Sequence, residues 1–418
     1  MRFPLLLVAI ACALPPSLAA QQGTPTAVKR SSPAGFSPAR LARIDSLVHR
    51  LVAGRKIPGA VVLLVRDGRV AYQKAFGYRN TATKAPQRVD DIFRMASQTK
   101  AITSLAAMML WEEGKFALDD PVAKYLPQFA KQRVLTKFNA ADSTYESKPA
   151  SAPMTVRQLF THTSGLDYAD IGSEEFRALY ARAGVSALGR EGEVLGDKMA
   201  ALGPLPLLHE PGERFTYSLG VDLLGRLVEV WSGMPLDRFF RTRIFEPLGM
   251  HDTWFELPAD RRARLVALHL EKDGTVEATD KMQLGVHPDY PERRVTYFSG
   301  GGGLSGTAAD YARFLQLFLN GGELDGVRLL GRKTVELMLT NQVPGMQPGF
   351  GLGFALETPE NDYQSPLSVG SFSWGGAFQT TYWADPKERL IGLIYTNVLG
   401  SSISLGEDFK VLVYSALQ

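Results

Sequence analysis

Cysteine is almost absent from this chain of 418 residues, and its one cysteine, Cys12, lies near the N-terminus. There, Met1-Arg2 is a short positive region, residues 3–14 form an apolar run, and Ser17-Leu18-Ala19 matches the small-x-small pattern that signal peptidase cleaves. Cleavage after Ala19 leaves a mature protein without a thiol. Such a protein has no disulfide, no cysteine nucleophile and no cysteine ligand for a metal.

Long apolar segments are missing from the rest of the chain, which predicts no stable insertion into a membrane. A membrane anchor at the N-terminus is disfavoured, because the apolar run is too short for a bilayer and Pro15-Pro16 interrupts it. A lipid anchor on Cys12 is disfavoured because Ala9-Ile10-Ala11 fit a lipoprotein signal poorly. We therefore expect residues 1–19 to be the signal peptide of an exported protein, periplasmic or secreted.

A strong charge of one sign is absent too. The chain has 46 Lys and Arg against 43 Asp and Glu, a formal net charge of +3, and no basic run, so nucleic acid is not a predicted partner.

The six histidines show no close metal-binding spacing, and the four glycines at 300–303 lack the lysine of a phosphate loop. We therefore predict no metal and no organic cofactor. A complete Gly-x-Ser-x-Gly is also missing, which disfavours the nucleophile elbow of α/β-hydrolases.

The chain does contain enough apolar sequence for a large core. Hydrophobic residues make up 45% and charged residues 21%, as is typical of a soluble globular protein. Residues 20–38 are rich in Gln, Thr, Ser and Pro, which predicts a flexible tether. Residues 39–53 carry apolar side chains at helical spacing. Residues 60–65 and 70–76 flank Asp67-Gly68, a pattern that predicts a β-hairpin.

The C-terminal end is also rich in strand patterns. Residues 351–356, 379–384 and 390–395 are predicted strands, Asp385-Pro386-Lys387 is a predicted turn, and residues 403–417 are a predicted closing helix. The middle of the chain is predicted to be mostly helical. We therefore expect a mixed α/β (α+β) fold, in which both chain ends build one antiparallel sheet flanked by helices. Its predicted parts are the sheet domain, residues 39–115 and 346–418, and an inserted, mostly helical domain, residues 116–345.

Ser97-Gln98-Thr99-Lys100 is the only Ser-x-x-Lys in the chain, and it precedes an apolar helical pattern. On the first turn of a helix, Ser97 and Lys100 would lie on one face within hydrogen-bond reach. A lysine shielded from water can activate a hydroxyl, and a helix N-terminus favours an oxyanion. Four residues with two fixed letters are a weak signal, so a capping serine and a solvated lysine remain the alternative.

The surrounding residues make the motif more specific. Phe93 to Lys100 resembles the nucleophile segment of the serine β-lactamase and penicillin-binding-protein superfamily, especially its class C branch. The resemblance spans about residues 40–417 and includes Asp119-Asp120-Pro121-Val122, Leu159-Phe160-Thr161-His162-Thr163-Ser164-Gly165-Leu166, Pro211-Gly212-Glu213-Arg214-Phe215-Thr216-Tyr217-Ser218, Pro247-Leu248-Gly249-Met250 and Trp374-Gly375-Gly376.

The resemblance implies a β-lactamase/transpeptidase-like fold and assigns roles by motif. It makes Ser97 the nucleophile, with Lys100 and Tyr217 sharing the general-base and general-acid steps. It places Trp374-Gly375-Gly376 on the strand that borders the site, where the glycines permit close approach. The N–H groups of Ser97 and Ala377 would then form the oxyanion hole. Taken alone, Tyr217 is more typical of an aromatic residue at an interface. The alternative for Trp374 is an aromatic residue of the strand that packs into the core.

Two departures from the pattern of penicillin-recognising enzymes concern the substrate. Trp374 stands where the family usually has Lys or His, and it offers an apolar face and one indole N–H instead of a cation. Leu219 stands where those enzymes typically have the Asn that holds the substrate amide. With Gly375 and Gly376, these residues are the predicted substrate-binding positions. They favour a neutral ester over an anionic amide, and the WGG triplet resembles that of the β-lactamase-fold carboxylesterases, the family VIII esterases.

We therefore expect an exported serine hydrolase that cleaves small carboxylic esters, with short chains favoured, through an acyl-enzyme on Ser97. A β-lactamase or DD-peptidase is the first alternative, because it shares the acylation step. A non-catalytic penicillin-binding-like module is the second. The sequence leaves the oligomeric state and the natural substrate open.

Overall fold

The computed structural model describes residues 35–418, and that range contains both helices and strands. The helices are α1 Pro38–Ala53, α2 Thr99–Glu112, α3 Val156–Phe160, α4 Glu174–Arg182, α5 Leu195–Leu202, α6 Gly220–Ser232, α7 Leu236–Phe240, α8 Glu246–Leu248, α9 Ala308–Leu319, α10 Arg332–Met338 and α11 Leu405–Ser415. The strands are β1 Gly59–Arg66, β2 Arg69–Asn80, β3 Ala85–Pro86, β4 Phe93–Arg94, β5 Arg133–Asn139, β6 Thr144–Pro149, β7 His269–Lys272, β8 Thr275–Ala278, β9 Ser305–Gly306, β10 Glu323–Leu324, β11 Val327–Arg328, β12 Ala355–Leu356, β13 Phe372–Gly376, β14 Thr380–Asp385, β15 Leu390–Tyr395 and β16 Val398–Leu399.

Both ends of the described chain build one seven-stranded sheet, in the order β12-β13-β14-β15-β1-β2-β3. Every neighbouring pair in it is antiparallel. The two halves of the chain meet where β1 pairs with β15, with Val61 opposite Tyr395 and Leu64 opposite Gly392. The predicted fold class is therefore confirmed.

The sheet is buried on both faces, which explains the unbroken apolar run of β1. Successive side chains of a strand point to opposite faces. Ala60, Val62 and Leu64 pack with residues of α1 and α11 on one face. The alternate residues, Val61 and Leu63, pack with the larger core around α2 on the other. A strand covered on both sides is apolar at every position rather than at every second one.

The predicted β1–β2 hairpin is confirmed. Asp67 and Gly68 have φ values of 51° and 71°, the positive values that a two-residue hairpin turn needs. The predicted helix at residues 39–53 and the closing helix are confirmed as α1 and α11. In the turn after β14, Asp385 Oδ1 accepts hydrogen bonds from the N–H groups of Lys387 and Glu388, which fixes the predicted turn.

Three predictions need correction. The segment 351–356 is a strand only at Ala355–Leu356, because Gly353 has a φ of 103° and its backbone packs closely against Ser104 of α2. The middle of the chain contains the ribbons β5–β6, β7–β8 and β10–β11 beside its helices. The last residues of the predicted tether are ordered, since Phe36 is buried and bridges Leu417. The predicted signal peptide and the rest of the tether lie outside the described residues, and the domain boundaries stay a prediction.

Helix α2 lies at the junction of the sheet and the helical insertion. Its residues from Thr99 to Leu110 are all buried, and it packs against α6. Its N-terminus follows directly from β4, and β13 packs against the turn between them. The start of α2 is therefore the point where sheet and insertion meet. In the described part of the chain, no helix is both long and apolar enough to cross a bilayer.

A buried histidine makes the stability of the fold depend on pH. The ring of His269 on β7 is fully buried, and its Nε2 accepts a hydrogen bond of 3.3 Å from the N–H of Thr81. Burial lowers the pKa of this imidazole from 6.5 to about 4. Between these values the unfolded chain binds a proton and the folded protein does not. Stability is therefore lost as the pH falls below the unfolded pKa of 6.5.

We expect this one group to lower the free energy of unfolding by about 2 kcal/mol between roughly pH 7.5 and pH 5. Urea unfolding at both pH values measures the effect in the wild type, in His269→Gln and in His251→Gln. His251 is an exposed control. The His269→Gln protein should lose about 2 kcal/mol less than the wild type on acidification, and the control should match the wild type. Equal pH dependence in all three proteins would contradict this assignment.

Candidate active site

Ser97 lies on a tight turn between β4 and α2. Residues Ala96–Gln98 form a single turn of 3-10 helix, and α2 begins at Thr99. Ala96 has a φ of 44°, a left-handed conformation that costs a residue with a β-carbon free energy. Gln98 holds the turn on its other side, because its carbonyl accepts a hydrogen bond from Tyr311 Oη and its side chain accepts one from Tyr395 Oη. Ser97 is thus held partly exposed between two buried neighbours.

Lys100 is the second residue of α2 and is 3% exposed. Its amine donates to Ser97 Oγ at 3.3 Å, to Tyr168 Oη at 3.2 Å and to the carbonyl oxygen of Gly301 at 2.7 Å. No carboxylate forms an ion pair with it in the described part of the chain. The predicted proximity of serine and lysine is therefore present. The serine precedes the α-helix instead of lying within its first turn.

Tyr217 comes from the loop before α6 and completes the cluster. Its Oη donates to Ser97 Oγ at 2.6 Å, across 120 residues of sequence. Lys100 Nζ lies 4.6 Å from the centre of the Tyr217 ring. One hydroxyl oxygen is thus in hydrogen-bond contact with both an amine and a phenol. This is the arrangement that an activated nucleophile needs.

A second tyrosine, Tyr168, contacts the lysine and is missed as a site residue by the sequence analysis. Its ring stacks on that of Tyr217, with centroids 5.3 Å apart and an interplanar angle of 15°. Burial raises the pKa of the Tyr168 phenol well above 10, and the neighbouring Tyr217 and Asp222 add to the rise. Tyr168 therefore stays neutral and serves as a fixed hydrogen-bond partner of Lys100. Nothing in its local sequence distinguishes it from an ordinary loop aromatic.

The glycine-rich segment at 300–303 also holds the lysine. The carboxylate of Asp222 accepts hydrogen bonds from the N–H of Gly301 at 3.0 Å and from Ser299 Oγ at 2.6 Å. A β-carbon on Gly301 would lie 2.1 Å from Asp222 Oδ2, so only glycine fits there. Burial raises the pKa of Asp222, an effect that Lys100 opposes. The segment rejected as a phosphate loop therefore fixes the carbonyl that Lys100 contacts.

His162 of the motif at 159–166 supports Tyr217 from behind. Its ring lies 4.7 Å from that of Tyr217, and its Nδ1 accepts a hydrogen bond of 3.2 Å from the N–H of Ser218. Its carbonyl accepts one from the N–H of Thr216 at 2.7 Å. Burial, with a contribution from Lys100, lowers the pKa of His162 well below 6.5. The imidazole is therefore uncharged, and it supports the loop of Tyr217 by packing against it.

The Trp374-Gly375-Gly376 triplet lies on β13 and borders the cluster. The indole ring of Trp374 lies 5.6 Å from that of Tyr217. A β-carbon on Gly376 would lie 2.2 Å from the carbonyl oxygen of Met95, so the backbone of β13 packs closely against the residue that precedes the serine turn. Ala377 follows as an exposed residue, and Phe378 belongs to the small buried cluster that also contains Ala96 and Leu268. The end of β13 therefore lies against the turn that carries Ser97.

Leu219 needs correction as a substrate-binding residue. It is fully buried and packs in the core beneath α6. Its N–H donates to the carbonyl of Asp167, which also removes the backbone from the site. The sequence analysis noted that Leu219 lacks the amide side chain that penicillin-recognising enzymes typically have here. The structure adds that this buried leucine offers no surface to a substrate. In residues 35–418, no group of three His, Asp or Glu side chains could hold a metal ion.

Comparison with known proteins identifies the family. The model of the Beta-lactamase family matches residues 44–412. Esterase EstB of Burkholderia gladioli is 30% identical over 381 residues, covering 87% of this chain and 92% of that protein. Lovastatin esterase of Penicillium rubens is 31% identical over 382 residues, covering 84% and 91%.

A solved structure agrees with these relatives. EstCE1, described as a hydrolase with promiscuous acyltransferase activity, has a TM-score of 0.77 at 27% identity. The similarity covers 90% of this chain and all of that one. The resemblance found in the sequence motifs is therefore confirmed, and the chain belongs to the Beta-lactamase family, beside serine hydrolases and acyltransferases of the same fold.

Proposed function

We propose that this protein is an exported carboxylesterase that works through an acyl-enzyme on Ser97. The observation that carries the proposal is the shared contact of Ser97 Oγ with Lys100 Nζ and Tyr217 Oη. The names of EstB and lovastatin esterase support ester hydrolysis as the reaction. Export rests on the N-terminal signal pattern alone.

In the proposed first step, Tyr217 takes the proton of Ser97, either as a phenolate or by relaying it to Lys100. Ser97 Oγ attacks the ester carbonyl, and the resulting oxyanion accepts hydrogen bonds from the N–H groups of Ser97 and Ala377. The carbon–oxygen bond to the alcohol then breaks. The departing alkoxide receives the proton from the Lys100–Tyr217 pair, which leaves an acyl group on the serine.

In the second step, water attacks the acyl-enzyme. The same pair takes a proton from the water, and the ester bond to Ser97 breaks with return of that proton to Oγ. The products are a carboxylic acid and the free enzyme. Tyr168 and the Gly301 carbonyl keep the amine of Lys100 in place through both steps. Water is the only co-reactant that this sequence of steps uses besides the ester.

Trp374 supports an ester rather than a β-lactam as the substrate. Its ring packs against Tyr217 and Phe350, so an aromatic face borders the serine. An aromatic face contributes apolar contact but no cation for the carboxylate of a penicillin or a peptide. The neutral part of an ester fits this surface.

The nucleophile is tested by Ser97→Ala. We expect hydrolysis of para-nitrophenyl acetate to fall by at least about a thousandfold, because only binding and the oxyanion contacts remain. Ser46→Ala, which changes an exposed serine on α1, is the matched control and should retain full activity. A fluorophosphonate probe should label the control and not the Ser97 variant. Equal turnover by both variants would remove Ser97 from the mechanism.

The phenol is tested by Tyr217→Phe, which keeps the ring contacts and removes the oxygen next to Ser97. We expect kcat to fall by about a hundredfold to ten-thousandfold, the usual size of a general acid–base contribution. The exposed Tyr145→Phe is the control and should be unchanged. A kcat of the Tyr217 variant within a factor of two of the wild type would contradict the assigned role.

The substrate class is tested by comparing para-nitrophenyl acetate with a chromogenic cephalosporin. We expect kcat/KM to be at least about tenfold higher for the ester, a difference of about 1.4 kcal/mol in transition-state stabilisation. Faster opening of the β-lactam would make the protein a β-lactamase. Stable labelling of Ser97 by penicillin would favour a DD-peptidase. Binding of either compound without any product would favour a non-catalytic module.

A further inference from the structure

The glycines at 300–303 bring a segment of backbone between two buried helices. A β-carbon on Gly300 would lie 2.9 Å from the carbonyl oxygen of Val221 in α6 and 3.2 Å from Thr103 Cγ2 in α2. Thr103 Oγ1 also donates a hydrogen bond of 2.7 Å to the carbonyl of Gly300. Because it lacks side chains, this segment contacts α2 and α6 at once.

Within this segment, Gly301 connects an acidic side chain of α6 with the lysine of α2. Its N–H donates to Asp222 Oδ1 at 3.0 Å. Its carbonyl oxygen accepts a hydrogen bond of 2.7 Å from Lys100 Nζ. The carboxyl group and the amine therefore lie on opposite sides of one glycine backbone.

The hydrogen bonds of Asp222 suit the ionised form of its side chain. Asp222 is completely buried, and its Oδ1 accepts from Ser299 Oγ at 2.6 Å as well as from Gly301. Its Oδ2 is buried and has no hydrogen-bond partner among residues 35–418. A proton on Oδ2 would have no acceptor, whereas a carboxylate needs only the donors that Oδ1 already has.

The other titratable groups around this carboxylate and the amine are three tyrosines and one histidine. Burial raises the pKa of Tyr168 and of Tyr297 well above 10, and the charge of Asp222 adds to both shifts. Burial, with a contribution from the amine, lowers the pKa of His162 well below 6.5. These three groups are uncharged near neutral pH, and the third tyrosine, Tyr217, belongs to the proposed acid–base pair. The negative charge that faces this pair is therefore that of Asp222.

We propose that Asp222 is a positioning residue that acts through Gly301. It holds the carbonyl that orients Lys100, and its negative charge sets the lowest pH at which the Lys100–Tyr217 pair takes up the proton of the serine. The inference rests on the proposed function and concerns the regulation of the same site. The pair must lose one proton before it can act as a base, whichever of its two groups loses it. A nearby negative charge favours the protonated pair, so removal of that charge extends activity to lower pH.

The charge is tested by Asp222→Asn, whose amide oxygen retains an acceptor for both hydrogen bonds. The measured quantity is the acid midpoint, the pH below which kcat/KM for para-nitrophenyl acetate falls to half of its plateau. We expect this midpoint to be about one pH unit lower in the variant than in the wild type. Circular dichroism at each pH confirms that the proteins compared are folded.

Asp310→Asn is the matched control. Asp310 of α9 is also buried, and its Oδ2 accepts from the N–H of Asp252 at 2.7 Å and from Thr253 Oγ1 at 2.9 Å. It therefore repeats the pattern of one backbone donor and one hydroxyl donor at a site without contact to the lysine. The control should keep the acid midpoint of the wild type.

Two further variants separate charge from position. Ser299→Ala retains Asp222 but removes one donor that stabilises its charge, so the acid midpoint should move in the same direction by a smaller amount. This variant carries the test if Asp222→Asn does not fold. Asp222→Ala also removes the support of the Gly301 carbonyl, so its plateau kcat should be about tenfold or more below that of Asp222→Asn.

An acid midpoint that stays in place or rises in Asp222→Asn or in Ser299→Ala overturns the role of the charge. Equal plateau values of kcat in Asp222→Ala and Asp222→Asn overturn the positioning role. Both results leave the proposed function intact, because the wild type still hydrolyses the ester. A wild-type protein that hydrolyses no ester overturns the proposed function and this inference together.

Discussion

The arrangement of the site depends on the burial of Lys100 at the start of α2. An amine inside a protein must find acceptors there, because leaving its hydrogen-bonding groups unpaired in a dry interior costs several kcal/mol. Gly301 and Tyr168 supply two of these acceptors, and Ser97 Oγ is the third. The requirement to satisfy one buried lysine therefore draws the glycine loop, the helical insertion and the serine turn to a single point.

Most of the fold could be predicted because its signals are local or periodic. The apolar run of β1, the Asp67-Gly68 turn and the helical spacing of α1 and α11 each depend on residues close together in sequence. The strand predicted at 351–356 failed because a close approach between Gly353 and α2 decided its backbone, and such a contact leaves no local pattern. The ribbons of the insertion were missed for a different reason, because short, mostly exposed strands such as β5 and β6 carry little apolar alternation.

The residues of the site also separate into those that a sequence motif predicts and those that only the folded structure brings together. Ser97, Lys100 and Tyr217 lie in motifs whose resemblance to a family brings them together, and their contacts are present. Tyr168 and the Gly301 carbonyl were not predicted as site residues, because their roles come from distances across the fold rather than from residue type. Leu219 shows the reverse case. Its identity is informative in a sequence comparison, but its burial excludes contact with a substrate.

The central claim is that the reaction passes through a covalent ester on Ser97, and the most direct measurement is to locate the acyl group. The enzyme is mixed with a bulky para-nitrophenyl ester, quenched in acid within milliseconds, digested and analysed by mass spectrometry. The account predicts a burst of about one nitrophenol per protein and an acyl group on the peptide that contains Ser97. An acyl group on another peptide, or turnover without a burst and without any acylated peptide, would contradict it.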